Sequence, residues 1–127
     1  MNRGDFSGAQ NVHEQVLCIQ RRLLGEEHPD TLITMGNLAN TLGAQGDLSG
    51  ARKLLNQVLS THRRLLGEKH PTTSISAWNL FTVLFGLRDF PAGRALLERD
   101  LFWLIDHNPA TLHAWQREIR TNLIHSR

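Results

Sequence analysis

Residues 21–31 of the chain, RRLLGEEHPDT, return 42 positions later as RRLLGEKHPTT at residues 63–73. Nine of the eleven positions are identical. A second phrase keeps the same step, because GDFSGA at residues 4–9 recurs as GDLSGA at 46–51 and, in a degraded form, as RDFPAG at 88–93. Two phrases that alternate at one period predict a repeat protein, in which each unit completes its core against its neighbours.

The composition limits the class of protein. At 127 residues the chain fits one domain, and a hydrophobic content of 40% supplies an ordinary apolar interior. The formal net charge is only +2 and the lysines and arginines are scattered, which argues against a nucleic-acid partner. No apolar run approaches the roughly 18–20 residues of a membrane span, and one cysteine, Cys18, cannot form an internal disulfide. We therefore expect a cytoplasmic protein with no membrane partner.

Apolar residues recur at steps of three and four between the repeated turns, which is typical of helices buried on one face. The stripes are Ala9, Val12, Val16, Ile19 and Leu23; Leu32, Met35, Leu38, Ala39 and Leu42; Ala51, Leu54, Leu55, Val58, Leu59 and Leu65; Ala77, Leu80, Phe81 and Leu84; Leu96, Leu97, Leu101, Leu104 and Ile105; and Leu112, Trp115, Ile119 and Leu123. The pattern predicts six helices and no strands.

We expect these helices to form a single domain over residues 1–127. Within it, residues 4–28 form half a repeat, the outer helix only, and residues 29–70 form a full repeat. Residues 71–108 form a second full repeat, which is shorter by about one helical turn. Residues 109–127 form a C-terminal capping helix, whose polar back suits the exposed end of a repeat array.

Charged residues at repeat-equivalent positions are expected to be solvated. The arginine pairs at 21–22 and 63–64 are expected to be solvated helix ends, where cations are favourable. Asp100 stands where the two earlier outer helices carry Val16 and Val58. Because a buried carboxylate needs a partner, we expect the last unit to pack in a shifted way that leaves Asp100 in water.

The helix pair joined at a glycine–aspartate turn resembles the tetratricopeptide repeat. The matching residues of the middle unit are Met35, Leu38, Ala39 and Leu42 in the inner helix and Gly46, Ala51, Leu55 and Val58 in the turn and outer helix. The period of 42, the phrase LGEEHPDT and the inner-helix NLA at 37–39 are similar to the kinesin-light-chain type of this repeat, which also occurs in NB-ARC-type signalling ATPases. The resemblance implies an all-α fold, a right-handed α-α superhelix (TPR solenoid) of about six antiparallel helices.

At the level of function, the resemblance implies a non-catalytic scaffold that binds another protein or a peptide on a concave wall, either by itself or as part of a larger signalling or adaptor protein. Carried over by position, the candidate groove residues are Ile33, Asn37, Asn40, Trp78, Asn79, Thr82, Arg117 and Arg120, with Gln116 beside the last two.

The candidate groove residues have different chemistry. Asn37 and Asn79 lie one repeat apart, and an amide side chain can both donate to and accept from a peptide backbone. Trp78 is equally consistent with an aromatic anchor for a partner and with packing between repeats. Arg117 and Arg120 could bind acidic groups of a ligand or belong to a solvated cap surface.

Catalytic and metal-binding patterns are weak. His28 and His70 fall in the repeated connector before a proline, so we expect them to cap or shape that turn. The other histidines show no H-E-x-x-H spacing, and a single cysteine cannot build a thiolate zinc site. We expect neither enzyme activity nor a cofactor or metal; the remaining enzymatic alternative is a metal hydrolase that uses His107, His113 and nearby acidic residues.

Self-association is the alternative function. The first helix, Ala9 to Leu24, lacks the inner helix that would cover part of its apolar face. Uncovered apolar surface favours association, and another copy could cover it in an isologous dimer. A homo-oligomer is therefore the second hypothesis.

Overall fold

The computed structural model describes residues 5–106 and 114–125, which form helices joined by short turns, with no strand among them. The helices are α1 (Asp5–Leu23), α2 (Pro29–Ala44), α3 (Leu48–Leu66), α4 (Pro71–Gly86), α5 (Phe90–Leu96), α6 (Trp103–Asp106) and α7 (Ala114–His125). A π-helical segment, Leu97–Leu101, joins α5 to α6. If this joined stretch is counted as one helix, the described residues form the six helices that the sequence predicted, and the all-α class is confirmed.

The chain divides into two compact units, Met1–Thr61 and His62–Arg127. Each has an apolar core, built from the predicted stripes except in α1. There the stripe residues Val12, Val16, Ile19 and Leu23 are exposed, and the buried residue is Leu17, which lies outside the predicted stripe. The first core contains Leu17, Leu32, Met35, Leu38, Ala39, Leu42, Ala51, Leu55, Val58 and Leu59. The second contains Ala77, Leu80, Leu84, Leu96, Leu101, Leu104, Ile119 and Leu123. None of the helices in the described ranges is long and apolar enough to cross a membrane.

The repeated histidine–proline connector starts an inner helix in each unit. His28 precedes α2 and His70 precedes α4; in both, Nδ1 accepts a hydrogen bond of 3.1 Å from the backbone N–H two residues later. The following proline occupies the first turn, where its missing N–H breaks no helical hydrogen bond. The predicted capping role of both histidines is therefore confirmed.

The turn before each outer helix shows the same geometry with different residues. Gly46 has a φ of +91°, and its counterpart one repeat later, Arg88, has a φ of +60°. In both turns the next residue, Asp47 or Asp89, accepts a hydrogen bond through Oδ1 from the N–H three residues on. The turn is thus retained in the second unit, although a side chain at positive φ is sterically unfavourable.

Replacing Arg88 by glycine should stabilise the protein by about 1 kcal/mol, because glycine adopts positive φ at little steric cost. Urea unfolding followed by circular dichroism measures the change. Arg88→Ala is the matched control: it removes the same charge but keeps a Cβ, so it should bring no comparable gain. An equal gain from both variants would show that the arginine side chain, and not the backbone, causes the instability.

The burial of Asp100 and of its partner Arg63 contradicts two predictions about solvated charges. It is 1% exposed, and its carboxylate receives two hydrogen bonds from the guanidinium of Arg63: Nε donates to Oδ1 at 2.8 Å, and Nη2 donates to Oδ2. The expectation that Asp100 lies in water is wrong, because the second unit brings Arg63 to it as a bidentate partner. Arg63 is accordingly not a solvated helix end, since its side chain is mostly buried.

The π-helical segment lies where this ion pair forms. Phe102 N donates to Leu97 O at 2.8 Å, five residues back, and Trp103 Nε1 donates to the carbonyl of Asp100 at 2.8 Å. An extra residue in one helical turn changes which side chains face inward. Asp100 and Leu101 are the buried residues of this segment.

Candidate functional site

The first unit presents its predicted groove residues on one face of α2. Ile33, Asn37 and Asn40 are all exposed, and their spacing of four and three places them on one side of the helix. The opposite side carries the buried Met35 and Leu38. The amides of Asn37 and Asn40 are therefore accessible to a ligand of this unit.

The second unit repeats the arrangement on α4, except that one of its groove residues, Trp78, is half-buried. Asn79 and Thr82 are exposed, and Thr82 Oγ1 donates a hydrogen bond of 2.7 Å to the carbonyl of Asn79. Trp78 is half-buried, and its ring centroid lies 5.6 Å from that of Phe81. Asn79 is thus available to a ligand, whereas the ring of Trp78 packs in part against Phe81 of the same helix.

An apolar cavity of about 640 Å³ opens beside these α4 residues. Its lining consists of Trp78, Phe81, Thr82, Phe85, Leu97, Phe102 and Leu123. A neighbouring cavity of about 430 Å³ shares several of these side chains and adds Phe90. Cavities of this size with apolar and aromatic walls are typical of ligand sites, so the second unit contains a candidate site for a bulky apolar group.

A row of aromatic rings forms the floor of this candidate site. The ring centroids of Phe81 and Phe85 lie 6.2 Å apart, and those of Phe85 and Phe90 lie 5.7 Å apart with an edge-to-face tilt. Phe85 and Phe90 are both exposed. Exposed aromatic side chains in a cluster are a mark of binding surfaces.

Sequence reasoning missed most of this lining. Phe85 continues the helical spacing from Trp78 and could have been found by extending the α4 face by one turn. Phe102 and Leu123 come from the π-helical region and from α7, and no spacing within α4 points to them. Only their packing in the second unit brings them to the cavity.

The terminal helix α7 carries the last positions that the resemblance assigned to the groove. Arg117 is exposed and Arg120 is half-buried. Gln116, which was placed beside them by counting, is buried and donates through Nε2 to Lys69 O at 2.9 Å and to Ser74 Oγ at 3.1 Å. That placement is wrong, because the repeat spacing is not kept before α7 and counting no longer predicts which side of the helix faces inward.

His62 is the described histidine with a clearly shifted pKa. Burial lowers the pKa of His62, and the neighbouring charge of His70 lowers it further. Its Nδ1 lies 2.6 Å from Ser76 Oγ. This contact joins α3 to α4 within the second unit, and neither group lines the aromatic cavity.

Within residues 5–106 and 114–125, no three histidine, cysteine, aspartate or glutamate side chains come together as metal ligands. His107 and His113, the residues of the metal-hydrolase alternative, lie outside the described residues.

Comparison with known proteins identifies the family. A family model described as tetratricopeptide repeat matches residues 1–30 and 31–72, more than half of the chain. No curated protein sequence matches the chain. Among solved structures, a protein of Podosopora anserina named for kinesin light chain and for nearly identical TPR-like repeats is similar with a TM-score of 0.77 at 25% identity, over 97% of this chain and 58% of that one.

Two further solved structures agree. A substituted form of the same Podosopora anserina protein has a TM-score of 0.78 at 25% identity over 97% of this chain. BtubC (BKLC) from P. vanneervenii has a TM-score of 0.75 at 17% identity over the same share, which shows the fold alone. The chain spans 55–58% of the length of these three chains. It belongs to the tetratricopeptide repeat family, and its repeats are similar to those of the kinesin-light-chain type.

Proposed function

We propose that the protein is a non-catalytic scaffold that binds an extended segment of another protein. The aromatic cavity beside α4 is the observation that carries this proposal, because two groove residues carried over from the family resemblance, Trp78 and Thr82, line it. The single cysteine, Cys18, is exposed, and a lone thiol supports a cytoplasmic location.

The chemistry of the second unit indicates what kind of segment fits. A bulky aliphatic or aromatic side chain would enter the cavity, where burial of apolar surface supplies most of the binding free energy. Asn79 lies next to the cavity lining in sequence and is exposed, so its amide can bind the backbone of the same segment. Asn37 offers the equivalent amide in the first unit.

A peptide selected on the wild-type protein from a random displayed library provides the probe. Phe85→Ala should weaken its binding by about tenfold or more, since truncating an aromatic anchor typically costs above 1 kcal/mol. The double variant Asn37→Ala with Asn79→Ala should also weaken binding. Fluorescence anisotropy of the labelled peptide measures the dissociation constants, and the two single asparagine variants show which unit contributes.

Asn56→Ala is the matched control for the asparagines, because Asn56 is an exposed asparagine on the outer helix α3. All three substitutions replace asparagine with a better helix former, so none should lower stability. Unchanged affinity in Phe85→Ala and in the double asparagine variant would refute binding at these faces. Loss of affinity in Asn56→Ala alone would show that the peptide binds to the outer helices instead.

We propose self-association as a second candidate function, because α1 exposes a row of apolar side chains: Val12, Val16, Ile19, Leu23 and, just beyond its end, Leu24. Exposed apolar side chains in a row favour association with another protein surface, which removes them from water. Sedimentation velocity over a range of protein concentrations tests it, and a chain that stays monomeric at several hundred micromolar would refute it.

A further inference from the structure

The aromatic site of the second unit consists of two neighbouring cavities. The larger, of about 640 Å³, is lined by Trp78 and is called the Trp78 cavity. The smaller, of about 430 Å³, is lined by Phe90 and is called the Phe90 cavity. Four side chains line both of them: Phe81, Phe85, Leu97 and Phe102. A ligand of this site therefore meets two apolar cavities that share part of their walls.

The aromatic residues of α4 are a feature of the second unit and not of the repeat. Each stands 42 positions after a small residue of α2: Trp78 after Gly36, Phe81 after Ala39 and Phe85 after Gly43. The fold of a unit does not require these rings, since the first unit is built without them. Phe85 is also 61% exposed, so its ring gains little from burial within the protein. A binding role accounts for rings that the fold does not need.

The second unit is adjusted to hold one of these rings. Gly93 of α5 is buried and lines the Phe90 cavity, and it stands where the first unit has Ala51. A Cβ added at Gly93 would lie 3.4 Å from Cε2 of Phe81. Glycine therefore lets the Phe81 ring lie close against α5, and in this position the ring forms part of both cavities.

The offset between the two cavities fits the spacing of side chains in an extended segment. The lining of the Trp78 cavity begins on α4 at Trp78, and that of the Phe90 cavity begins about one turn later, at Phe81. One helical turn is about 5.4 Å long. Side chains two positions apart in an extended chain lie on the same face, about 6.6 Å from each other, whereas neighbouring side chains point to opposite faces.

The charges around the cavities favour an uncharged ligand. Among the described residues that line them, the charged ones are Asp89 and Arg94, both at the Phe90 cavity. Asp89 Oδ1 accepts a hydrogen bond of 3.3 Å from Ala92 N, and Arg94 Nε donates one of 3.1 Å to Glu98 Oε1. Because these charged groups already have partners within the protein, apolar side chains complement the lining better than charged ones.

We propose that the site binds two bulky apolar side chains of one extended segment, two positions apart, with one in the Trp78 cavity and the other in the Phe90 cavity. This inference rests on the proposed function and adds the sequence pattern of the bound segment. Asn79 is exposed and follows Trp78 in the sequence. Its amide fits an extended segment, because the backbone groups that it would bind are already paired with each other in a helical ligand.

Selection of peptides from a random displayed library tests the pattern. On the wild-type protein, the binders should share two bulky apolar residues two positions apart, more often than the unselected library does. On Phe90→Ala, which removes a wall of the Phe90 cavity, they should share only one. Wild-type binders with a single such residue, or with two of them three or four positions apart as on one face of a helix, would overturn the proposal.

Double-mutant cycles with one wild-type binder test which side chain enters which cavity. Trp78→Ala and Phe90→Ala should each weaken binding about fivefold or more in fluorescence anisotropy. Alanine at one apolar position of the peptide should cause little further loss on Trp78→Ala, and alanine at the other position should cause little further loss on Phe90→Ala. Two peptide positions that respond identically to the two protein variants would overturn the assignment.

Leu65→Ala is the matched control, because Leu65 is an exposed apolar residue of the second unit that lines neither cavity. It should leave the affinity unchanged, and a loss equal to that of Phe90→Ala would show that the peptide does not bind in the cavities. Thermal unfolding checks that the fold is kept, which is expected at least for Phe90→Ala because its ring is 55% exposed.

Salt dependence tests the uncharged character of the ligand. The dissociation constant should change little between about 50 and 500 mM sodium chloride, because the proposed contacts involve no charge pairing. A tenfold loss of affinity over this range would show that charged groups of the peptide bind, and would overturn the proposed ligand chemistry.

The outcomes separate this inference from the proposed function. If the library yields no binder, both peptide binding and its pattern are overturned. Binders that lose affinity on Phe85→Ala but lack the pair of apolar residues would support the proposed function and overturn the pattern alone.

Discussion

Asp100→Ala should lower the free energy of unfolding by about 3–5 kcal/mol, because it leaves the Arg63 guanidinium mostly buried without its carboxylate. Asp100 is fully buried and bonded to Arg63 through both carboxylate oxygens. The loss includes the desolvation cost of a charge that no longer has a partner. Urea unfolding followed by circular dichroism, with the slope checked against wild type, measures the change.

An exposed ion pair of the same unit provides the control. Arg99 donates to Glu68 Oε1 at distances of 3.1–3.2 Å, and both side chains are at least half exposed. Glu68→Gln should therefore cost less than about 1 kcal/mol. The double variant Arg63→Met with Asp100→Leu should recover most of the stability lost in Asp100→Ala. A loss no larger than that of Glu68→Gln would mean that the buried pair contributes little.

Leu59→Ala should destabilise the first unit by about 2–5 kcal/mol, the usual range for truncating a buried leucine. The side chain of Leu59 is 1% exposed and lies among the core residues of α3. The truncation removes buried apolar surface and leaves a cavity that the neighbouring side chains fill only in part. Thermal unfolding and urea unfolding of the same preparation both measure the effect.

Leu65→Ala, in the same helix, separates burial from helix propensity. Both variants replace leucine with alanine, so any change in intrinsic helix stability is shared. Leu65 is about half exposed. Its truncation therefore removes less buried apolar area, and we expect it to cost less than about 1 kcal/mol. Similar losses at Leu59 and Leu65 would contradict the burial that distinguishes the two positions.

The candidate site was predictable where the repeat applies and not beyond it. Asn37 and Asn79 were chosen because the family resemblance puts them at the same groove position of successive repeats, and both lie on exposed helix faces. The groove that they were expected to share stays a prediction. Phe102 and Leu123 were not found, because they reach the aromatic cavity from other helices of the second unit.

The two errors about polar residues have one physical cause. Asp100 was expected in water and Gln116 on the exposed groove side of the last helix, whereas polar side chains can be buried when they have hydrogen-bonding partners. Both are buried, and both have such partners: Asp100 receives the guanidinium of Arg63, and Gln116 donates to Lys69 O. These partners lie 37 and 47 residues away in the sequence. No local pattern can show that they meet.

By itself, the sequence determined the helices, their caps and their family, because these depend on spacing within about one turn and on a repeat visible as text. The histidine–proline connector and the buried stripes of α2 and α4 are of this kind. Tertiary structure alone decided that a cavity opens beside α4, that Asp100 is paired, and that Val16 of α1 is exposed while its repeat counterpart, Val58, is covered. Burial is a property of the packed surroundings, so two identical valines in equivalent repeat positions can differ in it.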